Sequence, residues 1–283
     1  MMKHTKTINH QLELKSITGL LVISFLFISF FAGCQEEQAE ARPQVDSEMK
    51  ESMKEPVAVT DESRHLFELI KGNDLKTLEK HLTPENVNLK NEYGDSLLFG
   101  AVILGHKDAV SLLTRNDADI NLKNSKGSTV LMTAILAGHA DIINILLDSK
   151  ADIGIRDNDG TTPLIAATIS GSGTVVERLL KDDAEIAARN NDGSTALIVA
   201  SLSGYSDIVK LLLDSGADVN DADNDGITSL MLASFQGYPT VVKMLMDRGA
   251  DTALKDKDGE TALDYAKKEM HADIIAMLKD GTD

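Results

Sequence analysis

Apolar and polar positions recur along residues 94–280 in a block that repeats every 33 residues. Each block holds a short apolar segment such as LIAATI (164–169), followed by a second segment such as DIVKLLLDSGADV (207–219). The second segment places its apolar residues at helical spacing, and the block as a whole predicts a turn followed by two short antiparallel helices. No single block can bury its apolar faces alone, so neighbouring blocks must stack and supply one another's core.

Two sets of glycines keep the same period, which fixes the register of the helices. A Ser or Thr two residues after each glycine of the first set predicts a helix N-cap, and the second set suits left-handed turns at the end of the first helix. The first set is Gly94, Gly127, Gly160, Gly193, Gly226 and Gly259, and the second is Gly105, Gly138, Gly171, Gly204 and Gly237, with Met270 in the sixth position.

The segments DGTTPLIAAT (159–168) and LLLDSGADVN (211–220) identify a family. They resemble the ankyrin repeat, and the resemblance extends over roughly residues 63–280. It implies an all-α solenoid of stacked helix-turn-helix units, with about six full repeats and an N-terminal helical cap over residues 64–90. In that cap, Gly72 is expected to take the position of the second glycine. The family's TPLH motif keeps its proline only at Pro163 and lacks its histidine throughout, so we expect apolar packing to hold the turns.

Residues 1–33 have the pattern of a secretory signal peptide. Three lysines precede an apolar run over about residues 17–31, which is short for a transmembrane helix. The segment 31–34, Phe-Ala-Gly-Cys, resembles the bacterial lipobox, which implies cleavage before Cys34 and lipid attachment to that cysteine. The alternative is a retained membrane anchor.

Residues 34–62 are predicted to form a lipidated cysteine and a disordered acidic tether, and residues 63–283 to form the repeat domain. A coil of this length reaches roughly 30 Å. Cys34 is the only cysteine, which suits export to an oxidising compartment. Gln35, where an aspartate would favour the inner membrane, suggests an outer-membrane lipoprotein facing the periplasm in a bacterium with two membranes. The inner membrane is the alternative.

The net charge of −17 argues against nucleic acid as a partner and favours a basic protein. The sequence contains no HExxH, CxxC or phosphate-binding glycine motif, so we expect neither an enzyme nor a cofactor. Asp221, Asp223 and Asp225 match half of an EF-hand loop, but Leu232 stands where the loop needs its bidentate glutamate. We therefore interpret these aspartates as turn residues and predict no metal site.

Two rows of residues are candidates for partner binding, because ankyrin-like arrays use their turn tips and first-helix ends, which line a concave face. The tip row, directly before each first glycine, is Tyr93, Lys126, Asp159, Asp192, Asp225 and Asp258. The apolar strip, at the first-helix ends, is Ile103, Leu136, Ile169, Leu202 and Phe235. An apolar strip beside an acidic edge is typical of a protein-binding groove. The alternative is that the strip is buried between neighbouring first helices.

These observations predict a monomeric, non-catalytic module, tethered to the membrane and facing the periplasm, that binds a partner protein on its concave face. An immunity-type inhibitor of a periplasmic effector and a scaffold for an exported enzyme are two specific versions of this function. A structural envelope lipoprotein without a discrete partner is the alternative from another class.

Overall fold

The computed structural model describes residues 60–280 and contains fourteen α-helices in that range, with no β-strand among the described residues. The predicted all-α fold is confirmed. The predictions for residues 1–59, including the signal peptide, Cys34 and the tether, lie outside the described part of the chain. The helices are α1 (Asp61–Lys71), α2 (Leu75–His81), α3 (Leu97–Ile103), α4 (Lys107–Arg115), α5 (Val130–Ala137), α6 (Ala140–Asp148), α7 (Pro163–Ile169), α8 (Gly173–Lys181), α9 (Ala196–Ser203), α10 (Ser206–Asp214), α11 (Ser229–Gln236), α12 (Pro239–Asp247), α13 (Ala262–Lys268) and α14 (Ala272–Asp280).

The helices form seven consecutive pairs. We call α1–α2 the cap and the pairs from α3–α4 to α13–α14 copies 1 to 6. Each first helix packs on its own second helix and on the first helix of the next pair, so the first helices form one continuous layer and the second helices another. This arrangement is the predicted stack of six copies behind an N-terminal cap.

The start of every first helix in copies 1 to 6 is set by a hydroxyl N-cap. Each hydroxyl accepts a hydrogen bond from the backbone N–H three residues later, at 3.3–3.4 Å, and so satisfies a donor that the helix itself leaves unpaired. The six N-caps are Ser96, Thr129, Thr162, Thr195, Thr228 and Thr261. All six were predicted from their distance to the preceding glycine.

The turns between the helices of each pair use a left-handed residue. The second glycines have φ between 69° and 77°, and Met270 adopts the same conformation at φ 60° in copy 6. The prediction for the cap was wrong, because Gly72 has φ −78° and Asn73 takes the left-handed position at φ 52°. Asparagine tolerates this conformation better than most residues. The left-handed residue of the cap therefore lies one position later than the 33-residue period predicts.

The core lies between the two helix layers. The positions where the family has its histidine hold apolar side chains that are at most 1% exposed in copies 1 to 5: Phe99, Met132, Ile165, Ile198 and Met231. In copy 6 the same position is Asp264, which instead bonds to the N-cap Thr261. Apolar packing therefore fills this position in the interior, as expected, and a polar contact replaces it at the end of the array.

Between residues 60 and 280, no helix combines the length and the hydropathy that crossing a lipid bilayer requires.

Candidate functional site

Each turn tip in copies 1 to 6 is built around one Asn or Asp whose Oδ1 accepts two backbone N–H groups. Asp157, for example, accepts from Asp159 at 3.0 Å and from Thr161 at 2.8 Å. Such Asx turns are the common use of short polar side chains in tight loops. The six residues in this role are Asn91, Asn124, Asp157, Asn190, Asp223 and Asp256.

This geometry accounts for the aspartate spacing that resembled half of an EF-hand. Asp223 Oδ1 accepts from the N–H groups of Asp225 and Ile227, both at 2.9 Å. Burial of the Asp223 carboxyl raises its pKa, and the carboxylates of Asp225 and Asp192 raise it further. The described residues contain no group of three or more side chains placed to hold a metal ion. Asp223 is therefore a turn residue.

The tips of copies 2 to 6 are joined to one another by hydrogen bonds. Asn191 shows the arrangement: its N–H donates to the Asp159 carbonyl at 2.9 Å, and its Nδ2 donates to the Asn158 carbonyl at 2.9 Å. The other residues that donate a backbone N–H in this way are Asn158, Asn224 and Lys257. Within residues 60–280, the equivalent backbone bond from Ser125 to the Tyr93 carbonyl is not formed. The tip of copy 1 thus lacks the bond that ties the later tips together.

A second set of contacts between copies lies at the base of the tips. Lys123, Arg156 and Arg189 each donate to the backbone carbonyl 33 residues further along, with Lys123 Nζ at 2.8 Å from the Arg156 carbonyl and Arg189 at 2.6 Å from the Ala222 carbonyl. Neither this row nor the row of tip asparagines was predicted from the sequence. Both rows repeat every 33 residues, so aligning the polar positions of the copies with one another would have predicted them.

The structure places the whole tip row on the surface. Tyr93, the one aromatic member of the tip row, is 67% exposed, and the five charged members are exposed as well. The carbonyls of Asp159, Asp192 and Asp225 hold the next tip, so the backbone of these residues serves the fold while their carboxylates face solvent. Asp225 pairs with Lys257 at 3.1 Å. The tip row therefore presents an apolar group at one end and carboxylates along copies 3 to 6.

The apolar strip is not uniformly open. Ile103 is 45% exposed, Leu136, Ile169 and Phe235 are half-buried, and Leu202 is only 9% exposed. At Leu202 the structure therefore agrees with the alternative of burial between neighbouring first helices, whereas Ile103 stays open. Leu104, which was not predicted, is 47% exposed next to Ile103.

The repeat architecture seen in the structure agrees with the comparison to known families. The description "Ankyrin repeats (3 copies)" matches residues 66–157 and 149–223, and "Ankyrin repeats (many copies)" matches residues 212–266. The chain belongs to the ankyrin-repeat family. No curated protein matches it. Ankyrin repeats generally bind other proteins and do not catalyse reactions. We interpret this array as a protein-binding module of that kind.

The C-terminal end of the ankyrin array is closed by contacts from copy 6. The Phe235 ring lies edge-to-face with Tyr265, with 6.0 Å between the ring centroids. Tyr265 donates its hydroxyl hydrogen bond to Asp256 Oδ2 at 2.6 Å, and burial together with that carboxylate raises the Tyr265 pKa. Lys268 lies over the same ring at 5.5 Å and pairs with Glu260 at 2.5 Å. Phe235 is therefore engaged within the array, whereas Ile103 has no such cover.

Copy 1 therefore carries the most exposed apolar side chains of the tip row and the apolar strip, with Leu104 beside them. Tyr93, Ile103 and Leu104 are three of the five large hydrophobic residues with substantial exposure in the described chain. The other two, Tyr205 and Met270, lie in copies 4 and 6, at the turn between the paired helices.

Proposed function

We propose that this ankyrin array binds a partner protein mainly through copy 1, using Tyr93, Ile103 and Leu104. The observation that carries the proposal is their exposure, 67%, 45% and 47%, on an array whose later strip positions are covered by neighbouring copies. Exposed apolar groups of this size gain the most from removal from water, and aromatic side chains are frequent energetic centres of interfaces.

The partner of this proposal carries a basic surface beside an apolar one. Asp159, Asp192, Asp225 and Asp258 hold carboxylates at exposed tips along copies 3 to 6, and the chain as a whole is strongly acidic. A basic partner would be steered towards this row and oriented by it, whereas the apolar contact at copy 1 would slow its dissociation. Binding would accordingly weaken with added salt.

The proposed location is the bacterial cell envelope, with the array held at the outer membrane by lipid on Cys34 and facing the periplasm. The support is the sequence of residues 1–34 and the single cysteine. Attachment to a membrane would raise the effective concentration of the array against partners at the same surface. Replacing Cys34 with Ser should move the protein from the membrane fraction to the soluble fraction. Retention of the variant in the membrane would instead support an uncleaved anchor.

Site-specific photo-crosslinking in cells tests the binding face directly. A photoreactive amino acid is placed at Tyr93 or Ile103, and in a control protein at Asn144, an exposed position on α6. We expect the first two to give the same covalent adduct with one protein and the control to give none. Equal labelling from all three positions, or no discrete adduct, would contradict the proposal and favour a structural envelope role.

A further inference from the structure

The tips of copies 2 to 4 each bind an asparagine supplied by the next copy. On the tip of copy 4, the Asn224 N–H donates to the Asp192 carbonyl at 2.9 Å, and its Nδ2 donates to the Asn191 carbonyl at 2.8 Å. Asn224 also covers Gly193, because a Cβ atom added to that glycine would lie only 2.7 Å from the Asn224 nitrogen. We call these two carbonyls and the glycine a tip site. Asn158 and Asn191 occupy the equivalent tip sites of copies 2 and 3.

The tip of copy 1 has the same backbone geometry. Asn91 Oδ1 accepts the Tyr93 N–H at 2.9 Å, as the equivalent residues of the other tips do. Gly94 has φ 82°, the value found at Gly193 in the tip site of copy 4. The carbonyls of Glu92 and Tyr93 are therefore arranged with Gly94 as a tip site. Acceptors held in place in this way lose little conformational freedom when a donor binds.

No asparagine of copy 2 occupies the tip site of copy 1. Ser125 stands where the next three copies have asparagine, and it has no carboxamide to donate to the Glu92 carbonyl. Within the described chain, the Tyr93 carbonyl accepts no backbone N–H, and a Cβ atom added to Gly94 would meet no atom of another tip within 4 Å. Among the five junctions between described copies, only this one lacks the backbone bond between tips, since Lys257 forms it at the last junction.

The tip site of copy 1 lies beside an exposed apolar side chain. It shares Tyr93 with the proposed binding face, since the ring is 67% exposed and the carbonyl of the same residue is one of the two acceptors. A partner that covers the ring would also remove these carbonyls from water, so it must bring hydrogen-bond donors to them. The array shows which residue supplies two donors at this spacing, because a single asparagine does so in each tip site of copies 2 to 4.

We propose that the partner protein places an asparagine in the tip site of copy 1. Its N–H donates to the Tyr93 carbonyl, its Nδ2 donates to the Glu92 carbonyl, and its side chain covers Gly94. The partner presents this asparagine in an exposed turn, as the array presents Asn158 and Asn191. The inference rests on the proposed binding through copy 1 and names the residue that the partner contributes to it.

Ser125→Asn tests the inference, because it fills the tip site from within the array. The amide N–H of residue 125 should exchange about fivefold more slowly than in the wild type, the factor expected for one net hydrogen bond. In cells, the same substitution should lower the yield of the adduct from a photoreactive residue at Ile103 by at least about tenfold, because the partner loses two hydrogen bonds. Ser125→Ala is the matched control, since it brings no donor and should leave both readouts unchanged.

An unchanged adduct together with slowed exchange at residue 125 would overturn the inference and leave binding through copy 1 standing. Exchange at residue 125 as fast as in the wild type would also overturn it, since the tip of copy 1 would then not accept an asparagine. Equal loss of the adduct in Ser125→Ala would do the same, by showing that the serine itself contacts the partner. Absence of any adduct while Ser125 is unchanged would overturn the proposed function along with the inference.

A second measurement examines the partner. The partner peptide joined to a photoreactive residue at Tyr93 is identified by mass spectrometry, and it should contain an asparagine. Replacing that asparagine with aspartate keeps the shape of the side chain and removes the carboxamide donor, so binding should weaken by at least about tenfold. A joined peptide without asparagine would contradict the inference.

Discussion

Equivalent side chains near the two ends of the ankyrin array differ in their exposure to solvent. Ile103 of copy 1 is 45% exposed at the end of its first helix, whereas Phe235 of copy 5 is half-buried against the Tyr265 ring of copy 6. The difference does not come from the helix that carries the residue, because both residues are apolar and occupy the same register. It comes from what the next copy supplies. In a repeat array, the accessibility of a position is a property of the junction.

The largest effect expected from this comparison concerns stability. Leu202→Asp places a carboxylate at a position that is only 9% exposed. We expect it to cost at least about 4 kcal/mol of unfolding free energy, as unpaired buried charges do. Ile103→Asp makes a similar chemical change at an exposed site and should stay within about 0.5 kcal/mol of the wild type. Urea unfolding followed by circular dichroism measures both, and similar losses would break the contrast between the two positions.

An intermediate effect is expected at the closed end of the array. Tyr265→Phe removes the hydroxyl that donates to Asp256 and leaves that buried carboxylate with one bond fewer. The expected loss is about 1–3 kcal/mol, with earlier thermal melting of copies 5 and 6. Tyr205→Phe is the control, since the Tyr205 side chain is 37% exposed. If both variants behave alike, the bond between Tyr265 and Asp256 does not stabilise the end.

The smallest effect concerns a turn tip and depends on pH. Burial raises the pKa of Asp157 above its usual value of 3.8. The folded chain therefore binds this proton more tightly than the unfolded chain, and stability falls as pH rises from 3.8 through the raised folded-state pKa. Asp157→Asn keeps the Oδ1 acceptor and removes the charge, so it should stabilise the array at pH 7.

This gain should remain below about 1 kcal/mol, because solvent reaches the half-buried carboxyl, and it should vanish below pH 3.8. Thermal melting at pH 7 and pH 3.5 provides the measurement. The reverse substitution in copy 2, Asn124→Asp, should destabilise at pH 7 by a similar amount. A gain for Asp157→Asn that persists unchanged at pH 3.5 would rule out desolvation of the carboxylate as its cause.

Most of the fold could be predicted from the sequence because its determinants are local and repeat. The N-caps and the left-handed turns depend on residues within one copy, such as Thr162 and Gly171, and the family comparison agrees with the period. The predicted turn of the cap was wrong by one residue, because Asn73, which lies outside the glycine period, adopts the left-handed conformation.

The candidate site could be predicted only in part. The tip row was correctly placed on the surface, since tips project from the stack whatever side chain they carry. For the strip, exposure and burial both stayed open, because exposure at Leu202 depends on how closely two neighbouring helices pack, and a single sequence does not specify that distance. Leu104 was missed because it lies just beyond the end of α3, one residue outside the register that defined the strip.

The central claim is tested most directly by measuring the affinity of the partner for three forms of the array by isothermal titration calorimetry. The partner is the protein that photo-crosslinking identifies, purified on its own. The forms are the wild type, Ile103→Asp, and Asn144→Asp, which adds the same charge on α6. We predict that Ile103→Asp binds at least about 30-fold more weakly, as loss of a central apolar contact does, and that Asn144→Asp binds like the wild type. Equal affinity for all three would show that copy 1 is not the binding face.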